Sequence, residues 1–517
     1  MKKHRKLILG ALVVYLLLLL LLLAVESGQP GASIRTFGDV LWYSLITITT
    51  VGYGDMAPVT ALGRALGLVF ALCSIGLFTA LIGVGLRLIG GEFIPKLRLR
   101  RSRERRWYAF TEANGDTLAL SRAIRQEDAD ALMIFTDGDK GRKTAAGAVC
   151  LHITPEELVR LRGGTDGLSL FCVGGEPWRN YALALDAAEK GVQSYCMADM
   201  RSEKLPLNLH LFSPVEAMSR SYWKAHPLTG SERRVVLIGD GLAAEALLER
   251  ALLTNVLEPG RRIEYHFFGG AAGFAGLHPE LVRALGGEDE AEDRLVLHED
   301  AWTQAGALLA RADRIILCFE DDRANFEAYG KLKSWLPTAA AIHLRLADDL
   351  PDAVCFGSRE ESMRPEFVMK DALNRQAIIM NEIYNEGTAH PVAWGELSPF
   401  LRQSNIAAAD HLIVKLRFLL GDESLTELSP ALLRRAYERF CELYARDPDL
   451  LQEMEHRRWM RFYQMYNWRW APERDDARRL HPLLLPYAEL SDEVRRKDAY
   501  AWEMLGRLAD AEEEREA

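Results

Sequence analysis

The stretch Thr49–Asp55, which reads TTVGYGD, decides the fold of the first ninety residues. It holds two glycines in alternation with an aromatic residue between them, and it directly follows an apolar run. Gly52 and Gly54 can take positive φ without a clash of a Cβ atom. Alternating conformations along the stretch would aim successive carbonyl groups toward one axis, while Val51 and Tyr53 point away and pack.

Two long apolar segments flank this stretch. Leu7–Val25 is 19 residues without a charge, about enough helix to cross roughly 30 Å of hydrocarbon. Ala61–Ile89 is long enough to span again, with Arg64 near its start and Arg87 near its end. The first run is long for the core of a cleaved signal peptide, and "LLAVESG" makes a poor cleavage site. We therefore expect two membrane helices.

A shorter apolar segment lies between the two predicted spans. Phe37–Thr50 is apolar and aromatic but too short to cross a membrane. Asp39 sits near its start, where a carboxylate suits the positive end of a helix dipole. Backbone that turns back at membrane depth is tolerated only where it lines a cavity or is buried in protein. The segment is therefore predicted to be a re-entrant half-helix.

The charge of the chain is distributed unevenly. Residues 1–106 carry 14 Lys/Arg and 5 Asp/Glu, a net charge of +9, whereas the whole chain has a net charge of −10. Basic residues at both outer ends of the two apolar segments predict a multi-pass protein of the plasma (inner) membrane with both termini in the cytoplasm. The seven cysteines form no CxxC pair, which is typical of reduced thiols in a cytosolic setting.

TTVGYGD between two spans and after a half-helix closely resembles the signature of potassium channels. Pro58–Arg64 is similar to the opening of the inner helix in two-helix channels, so the resemblance covers residues 7–90. It implies a homotetramer with a selectivity filter in which permeating K⁺ is the bound metal. The implied filter residues are Thr50, Val51, Gly52, Tyr53, Gly54 and Asp55, of which Thr50, Val51, Gly52 and Tyr53 hold K⁺.

The gating hinge departs from the usual pattern of that family. Many relatives carry a hinge glycine twenty residues after the last filter glycine, where this chain has Ser74. Gly76 and Gly83 are the candidates for the hinge. The alternative is that these glycines only permit close packing of helices.

After Arg106 the sequence alternates between short apolar strands and amphipathic helices, and the alternation starts again at Arg233. This pattern predicts two doubly wound parallel sheets. The fourth strands of the two copies match, with Cys172 in one and Cys318 in the other. We expect a pore domain at 1–94, a basic linker at 95–105 and Rossmann-like domains at 106–228 and 232–365.

The second Rossmann-like copy has Gly239-x-Gly241-x-x-Ala244 directly after a strand and opening a helix. This is the context of a dinucleotide fingerprint. The strand that should end in an acid for the ribose ends instead in Phe268 and Gly269. The alternative for the two glycines is tight packing of strand against helix.

The first copy shows the reverse pattern. Its glycine loop is degenerate and reads TEANGDT, with Asn114 and Gly115, but Asp137 stands where the ribose acid belongs. The alternative for Asp137 is a helix cap or an interdomain contact. Neither copy therefore has the complete set for NAD.

A two-helix channel followed by tandem Rossmann-like domains resembles the potassium channels with RCK domains, the regulators of K⁺ conductance. The resemblance implies a cytosolic ring whose shape changes when a ligand binds and which then pulls on the inner helices. A nucleotide or cyclic dinucleotide is the favoured regulatory ligand, and a divalent cation stays possible.

The C-terminal part is expected to contain a helical extension at 366–445 and a small all-α domain at 446–517. The latter resembles the ryanodine-receptor-type (RyR) repeat domain. The resemblance rests on Glu455-His456, Trp459, Trp468, His481–Leu490 and Asp498, and it implies a role in sensing or interaction. Trp459, Trp468 and Arg469 are candidate ligand contacts, because aromatic and basic side chains can stack and pair with a nucleotide-like anion. The alternative is a tryptophan core with a solvated charged face.

The sequence as a whole predicts a helical membrane pore, α/β Rossmann-like domains and a small all-α end. The predicted function is a potassium-selective channel gated by a cytosolic ligand, with a lipid bilayer and a small molecule as partners and no nucleic acid. We expect no enzyme, because the sequence shows no Ser-His-Asp set, metal cluster or paired catalytic acids in context. The alternatives are a membrane-anchored nucleotide-dependent oxidoreductase and a non-conducting regulatory subunit.

Overall fold

The computed structural model describes residues 2–90, 93–138, 147–199, 205–287, 292–336, 339–386 and 388–516. The chain divides into two compact units, Met1–Arg103 and Glu104–Ala517. The division falls inside the segment 95–105.

The first unit is helical. Its described helices are α1 (Lys2–Glu26), α2 (Phe37–Ile48), α3 (Ala61–Gly90) and α4 (Phe93–Arg101). Both long apolar segments and the half-helix are thus helical as expected, and α4 occupies most of the predicted linker. No helix in the described part of the chain is both long and apolar enough to cross a membrane, so the two predicted spans are not confirmed by the structure.

An apolar cluster holds the described parts of the first unit together. Leu22 of α1, Val40 of α2 and Phe70 of α3 are almost completely buried in it, together with Ile34 from the connecting loop. Helices α1, α2 and α3 therefore each contribute one apolar face to a common contact.

The second unit contains two parallel six-stranded sheets. The strands of the first sheet are β1 (Trp107–Phe110), β2 (Leu132–Phe135), β3 (Val149–Cys150), β4 (Leu168–Cys172), β5 (Gln193–Met197) and β6 (Leu209–Phe212). Their order in space is β3-β2-β1-β4-β5-β6. This is the strand order of the doubly wound dinucleotide-binding fold, so the expected Rossmann-like architecture is confirmed here.

The second sheet repeats the first. Its strands are β7 (Arg234–Ile238), β8 (Glu264–Phe268), β9 (Arg294–His298), β10 (Arg314–Leu317), β11 (Ala341–Arg345) and β12 (Val354–Phe356). They lie in the order β12-β11-β10-β7-β8-β9, which is the same winding. Phe110 of β1 pairs with Phe171, which comes directly before Cys172. In the second sheet, Ile238 of β7 pairs with Leu317, which comes directly before Cys318. The match of the two fourth strands is therefore confirmed.

Sequence reasoning missed the sixth strand of each sheet. These are β6, with the sequence LHLF, and β12, with the sequence VCF. Both lie at a sheet edge, and both are too short to show a clear alternation of apolar and polar residues.

The helices of the second unit cover the faces of the two sheets and form the C-terminal part. Those of the sheet region are α5 (Gly115–Glu127), α6 (Pro155–Arg162), α7 (Pro177–Glu189), α8 (Pro214–Ala225), α9 (Gly241–Thr254), α10 (Ala271–Leu277), α11 (Pro279–Leu285), α12 (Gly306–Leu309) and α13 (Asp322–Trp335). Those that follow are α14 (Arg359–Ser362), α15 (Pro365–Met369), α16 (Arg375–Glu386), α17 (Pro399–Asp410), α18 (Leu412–Leu420), α19 (Pro430–Arg446), α20 (Pro448–Met465), α21 (Asp492–Asp498) and α22 (Tyr500–Glu516). A two-residue strand pair, β13 (Arg469–Trp470) with β14 (Leu480–His481), follows α20.

The predicted helical extension begins with two separate helices, α15 and α16. Asp371 has φ 51° and ψ 28°, the left-handed conformation, between α15 and α16. A residue in this conformation does not continue an α-helix, so the chain turns at this point.

The C-terminal residues share their core with the second sheet region. Phe462 and Trp502 belong to the same continuous apolar cluster as Leu252 of α9 and Phe274 of α10. The predicted all-α domain at 446–517 therefore does not bury a separate apolar core. The reason is that α20 packs directly against α9 and α11.

Candidate functional site

The backbone of TTVGYGD alternates in conformation. Thr50, Gly52 and Gly54 have φ of 58°, 55° and 75°, whereas Val51 and Tyr53 are not among the residues of positive φ. The N–H groups of Val51 and Gly52 both donate to the carbonyl of Ile46, at 3.0 and 3.2 Å. These two bonds fix the turn at the end of α2.

The carbonyl of Thr49 accepts a hydrogen bond from the hydroxyl of Thr50 at 2.7 Å, but those of the next four residues have no donor in the described structure. A backbone oxygen normally finds a partner. A row of unpaired oxygens on an alternating backbone is therefore suited to bind a cation.

Aromatic side chains brace the stretch from α2. The rings of Trp42 and Tyr53 are stacked, with centroids 6.3 Å apart and planes inclined by 7°. The Nε1–H of Trp42 donates to the Oδ2 atom of Asp55 at 3.1 Å. The sequence analysis did not identify Trp42, although its position in the half-helix before an aromatic-glycine pair was visible.

The half-helix begins at a double cap. The side chain of Thr36 accepts from the N–H of Asp39, and the carboxylate of Asp39 accepts from the N–H groups of Thr36 and Arg35, at 2.8 and 2.9 Å. The expected placement of Asp39 at the helix start is thereby observed. It satisfies N–H groups that a helix end leaves unpaired.

A buried carboxylate ties α1 to the start of α3. Glu26 is completely buried and accepts from the N–H groups of Val59 and Thr60, at 2.8 and 3.0 Å. A Cβ atom on Gly63 would lie 2.0 Å from an oxygen of Glu26. This glycine therefore permits the close approach of the two helices.

The two hinge candidates both lie in α3. A Cβ atom added at Gly83 would meet no atom within 4 Å in the described part of the chain. The surroundings of Gly76 lie outside the described residues.

The glycine loop of the second sheet is closely packed. A Cβ atom on Gly239 would lie 2.0 Å from the carbonyl oxygen of Cys318, and one on Gly241, which has φ +76°, would lie 2.3 Å from a carboxylate oxygen of Glu320. The N–H of Gly239 donates to the backbone carbonyl of Phe268 at 3.1 Å. Tight packing of strand against strand thus accounts for Gly239. Glu320, which follows the carboxyl end of β10, was not identified from the sequence, although ligand-binding residues of such folds cluster there.

Asp137, which follows β2, is hydrogen-bonded to the glycine loop that follows β1. One carboxylate oxygen accepts from the N–H of Ala113 at 2.8 Å, and the other is buried without a hydrogen-bond partner in the described structure. Asn114 caps α5 by accepting from Thr117 at 2.9 Å. A Cβ atom on Gly115 would lie 2.9 Å from the Nε atom of Arg359. The structure thus brings Asp137 and Asn114 together at one loop.

The C-terminal candidates are largely occupied by contacts within the chain. Trp468 is 6% exposed, and the guanidinium of Arg474 lies 5.9 Å from its ring centroid. Trp459 stacks on His456, with centroids 5.7 Å apart. Arg469 is exposed.

Arg458 and Arg461, on α20 beside these candidates, are buried and paired, so they are not available to an anion. The Nη1 atom of Arg461 lies 3.1 Å from the Oδ2 atom of Asp293. The Nη2 atom of Arg458 lies 2.6 Å from the Oε1 atom of Glu455. Burial alone would raise the pKa of Glu455, but Arg458 and Lys415 hold it at about 2. A buried charge must be paired, so these arginines serve the core.

Comparison with known proteins supports the assignment of the first unit. Residues 7–90 match the family Ion_trans_2, described as "Ion channel". A voltage-gated potassium channel of Aeropyrum pernix is 39% identical over 74 residues, which are 14% of this chain and 22% of the relative. The calcium-gated potassium channel TvoK of Thermoplasma volcanium is 30% identical over 135 residues, 24% of this chain and 39% of the relative.

Human potassium voltage-gated channel subfamily KQT member 4 is 40% identical over 90 residues, 17% of this chain and 12% of the relative. The matches thus span 12 to 39% of these relatives' own lengths. All three relatives are potassium channels.

Two solved structures of the channel GsuK are among the structural matches. The ADP-bound structure is 14% identical, with a TM-score of 0.37, and covers 71% of this chain and 99% of that one. The NAD-bound structure is 13% identical, with a TM-score of 0.35, and covers 74% of this chain and 86% of that one.

Proposed function

We propose that this chain is the subunit of a homotetrameric, potassium-selective channel gated by a cytosolic ligand. The observation that carries the proposal is the alternation of φ at Thr50, Gly52 and Gly54, together with the backbone oxygens of residues 50–53, which accept no hydrogen bond from the described part of the chain. Its support is the ion-channel match of residues 7–90, which contain the stretch.

Four copies around one axis would supply rings of oxygens that replace the hydration shell of K⁺. Thr50, Val51, Gly52 and Tyr53 contribute these rings, and Gly54 and Asp55 complete the filter. The stack of Trp42 on Tyr53 would hold the rings at a fixed radius from the outside.

The location and topology follow from the same assignment. Residues 7–25 and 61–89 are proposed to span the plasma (inner) membrane, with both termini in the cytoplasm and the lipid bilayer as the surrounding partner. Gly76 and Gly83 remain the proposed positions of the gating hinge in α3.

The two Rossmann-like sheets and the C-terminal RyR-type region are proposed to sense the ligand. A ligand biases a gate only if it binds the open and closed states with different affinity. A nucleotide or cyclic dinucleotide is favoured, with a divalent cation as the alternative. The proposed contacts are Asn114, Gly115, Asp137, Gly239, Gly241, Trp459, Trp468 and Arg469.

Of these contacts, Asp137 is the one that the geometry supports best. Its second oxygen is buried and has no hydrogen-bond partner among the described residues, as an acceptor for a ribose hydroxyl would be. The second loop is less suited to a phosphate, because the carboxylate of Glu320 stands against Gly241.

The test is reconstitution of the purified full chain in liposomes. Electrogenic uptake of K⁺, with Na⁺ excluded, and a detergent-solubilised mass of four chains are expected. A well-assembled protein that passes neither ion would support the non-conducting regulatory subunit instead.

A further inference from the structure

A cavity of about 310 Å³ lies between the first sheet and the C-terminal helices. It is formed by the edge strand β6 and α8 on one side and by α15, the segment around Trp394 and α17 on the other. It is distinct from both glycine loops, because none of the residues 111–117 or 239–244 lines it. Its volume is in the range of small-molecule sites.

One wall of the cavity is rich in hydrogen-bond donors. Gln403 is 7% exposed, and its Oε1 atom accepts from Arg250 at 3.0 Å. Because a guanidinium can only donate, the oxygen of this amide must face Arg250. The amide nitrogen is then left for the cavity, and it donates no hydrogen bond within the described structure.

Arg402 adds positive charge beside this amide. Its Nε–H is buried without a hydrogen-bond partner among the described residues, and its Nη2 makes only two long bonds of 3.3 Å to backbone carbonyls. Arg402 and Gln403 lie in the first half of α17, which begins at Pro399. The positive end of the helix dipole therefore acts in the same direction.

The rest of the lining is mixed. Trp394 and Phe367 give it aromatic surface, and Glu216 and Asp371 add carboxylates. The guanidinium of Arg402 lies 5.8 Å from the centroid of the Trp394 ring. A flat apolar body would find contact area here, next to the donors that suit an oxyanion.

We propose that this cavity binds a small ligand that joins a planar ring system to one oxyanion, as in an aromatic carboxylate or a nucleoside monophosphate. The amide nitrogen of Gln403 and the guanidinium of Arg402 take the oxyanion, and Trp394 takes the ring.

The cavity wall is connected to both sheet regions. Arg220 of α8 lies in the wall and holds Asp410 of α17 through bonds of 2.9 Å. Arg250 of α9 contacts Glu216, Gln403 and Asp410. A ligand bound to Gln403 would therefore change the hydrogen bonds and ion pairs that join α8, α9 and α17. A gating effect of this binding rests on the proposed channel function, but the binding itself does not.

Binding is measured by isothermal titration of the full-length chain in detergent with four probes. The probes are adenosine 5′-monophosphate, 2-naphthoate, adenosine and inorganic phosphate. We expect at least one of the two ring-bearing anions to bind, and adenosine and phosphate to bind at least tenfold more weakly. The inference is overturned if neither ring-bearing anion binds, or if phosphate or adenosine binds as tightly as they do.

Two variants assign the binding to the cavity. Gln403→Glu keeps an acceptor for Arg250 but replaces the free donor with a negative charge, and Trp394→Leu removes the ring. Each is expected to weaken binding at least tenfold without lowering the ligand-free thermal midpoint by more than a few degrees. Gln464→Glu, on α20 and outside the cavity, is the matched control and should bind as the parent does.

Unchanged binding in both Gln403→Glu and Trp394→Leu would contradict the proposal. If Trp394→Leu lowers the thermal midpoint strongly, Gln403→Glu alone decides. Potassium flux measured on the same preparation separates this inference from the proposed function. Flux without ligand binding would overturn only the proposed binding site. Binding without flux would overturn only the proposed channel function.

Discussion

The indole of Trp42 and the carboxylate of Asp55 are joined by a hydrogen bond of 3.1 Å that spans the whole TTVGYGD stretch. The donor lies in the half-helix α2 and the acceptor is the last residue of the stretch. Tyr53 stacks on the same indole. One side chain thus restrains the far end of the proposed filter in two ways.

Trp42→Phe should separate these two restraints. The ring and its stacking on Tyr53 are kept, whereas the hydrogen bond to Asp55 is lost. We expect K⁺ selectivity to persist and conduction to be lost at a lower temperature than in the parent, as measured by liposome flux after stepwise heating. Trp335→Phe at the exposed end of α13 is the control. Equal heat resistance of Trp42→Phe and the control would show that the bond to Asp55 does not support the filter.

Gly239→Ala should destabilise the second unit in the absence of any ligand. The added Cβ would lie 2.0 Å from the backbone oxygen of Cys318, and backbone cannot move aside as a side chain can. We expect a loss of about 1–3 kcal/mol in unfolding free energy, in the range of overpacking a closed core, measured by denaturant titration. Gly276→Ala is the matched control, because it meets no atom within 4 Å. If Gly239→Ala is as stable as the parent, close packing is not the reason for a glycine at this position.

Arg461→Met should loosen the C-terminal helices from the second sheet region. Arg461 is 2% exposed and pairs with Asp293, which is equally buried. Removing one partner of a buried pair leaves an uncompensated charge and costs about 3–5 kcal/mol. Limited proteolysis should show earlier cleavage after residue 446. The double variant Arg461→Met with Asp293→Leu should recover part of the stability, and no recovery would mean that the pairing is not what Arg461 contributes.

The stability of the second unit should fall between pH 6.5 and pH 5. Burial and the nearby charge of Lys415 lower the pKa of His411 to about 3, while its Nε2–H donates to the carbonyl of Val256 at 2.7 Å. The unfolded chain takes up a proton near pH 6.5 and the folded chain does not, so the stability present above pH 6.5 is lost as the pH falls.

The slope from one such histidine approaches about 1.4 kcal/mol per pH unit once the unfolded histidine is protonated. His411→Gln should be less stable at pH 7 but should depend less on pH between 6.5 and 5, as measured by denaturant midpoints. His390→Gln, at an exposed histidine, is the control. An unchanged pH slope in His411→Gln would show that another group controls acid sensitivity.

The sequence predicted the elements whose cause is local. The position of Asp39 at the start of the half-helix depends on the adjacent helix end alone, and the alternation of Gly52 and Gly54 follows from backbone preference alone. The tandem parallel sheets were visible because each repeats the same succession of strands and helices. These features depend on neighbouring residues, which a sequence shows directly.

Contacts between distant segments were not predictable in this way. The sequence around Arg461 gives no sign that its side chain is buried. Its partner Asp293 lies 168 residues earlier in the chain, and only the fold brings the two together. The cavity at Gln403 is likewise built from segments that only the fold brings together. The strands β6 and β12 are too short to give a pattern, and their place is set by the sheet beside them.

The central claim is that TTVGYGD selects K⁺, and the most direct test is the ratio of K⁺ to Na⁺ permeability of the reconstituted full chain. Gly52→Ala should abolish conduction or selectivity, because a Cβ atom disfavours the φ of +55° that places the carbonyl. Gly31→Ala carries the same kind of strain at φ +81°, with no atom within 4 Å, but lies outside the stretch. It should conduct with the selectivity of the parent. A parent chain selective for K⁺ whose selectivity is unchanged in Gly52→Ala would contradict the filter assignment.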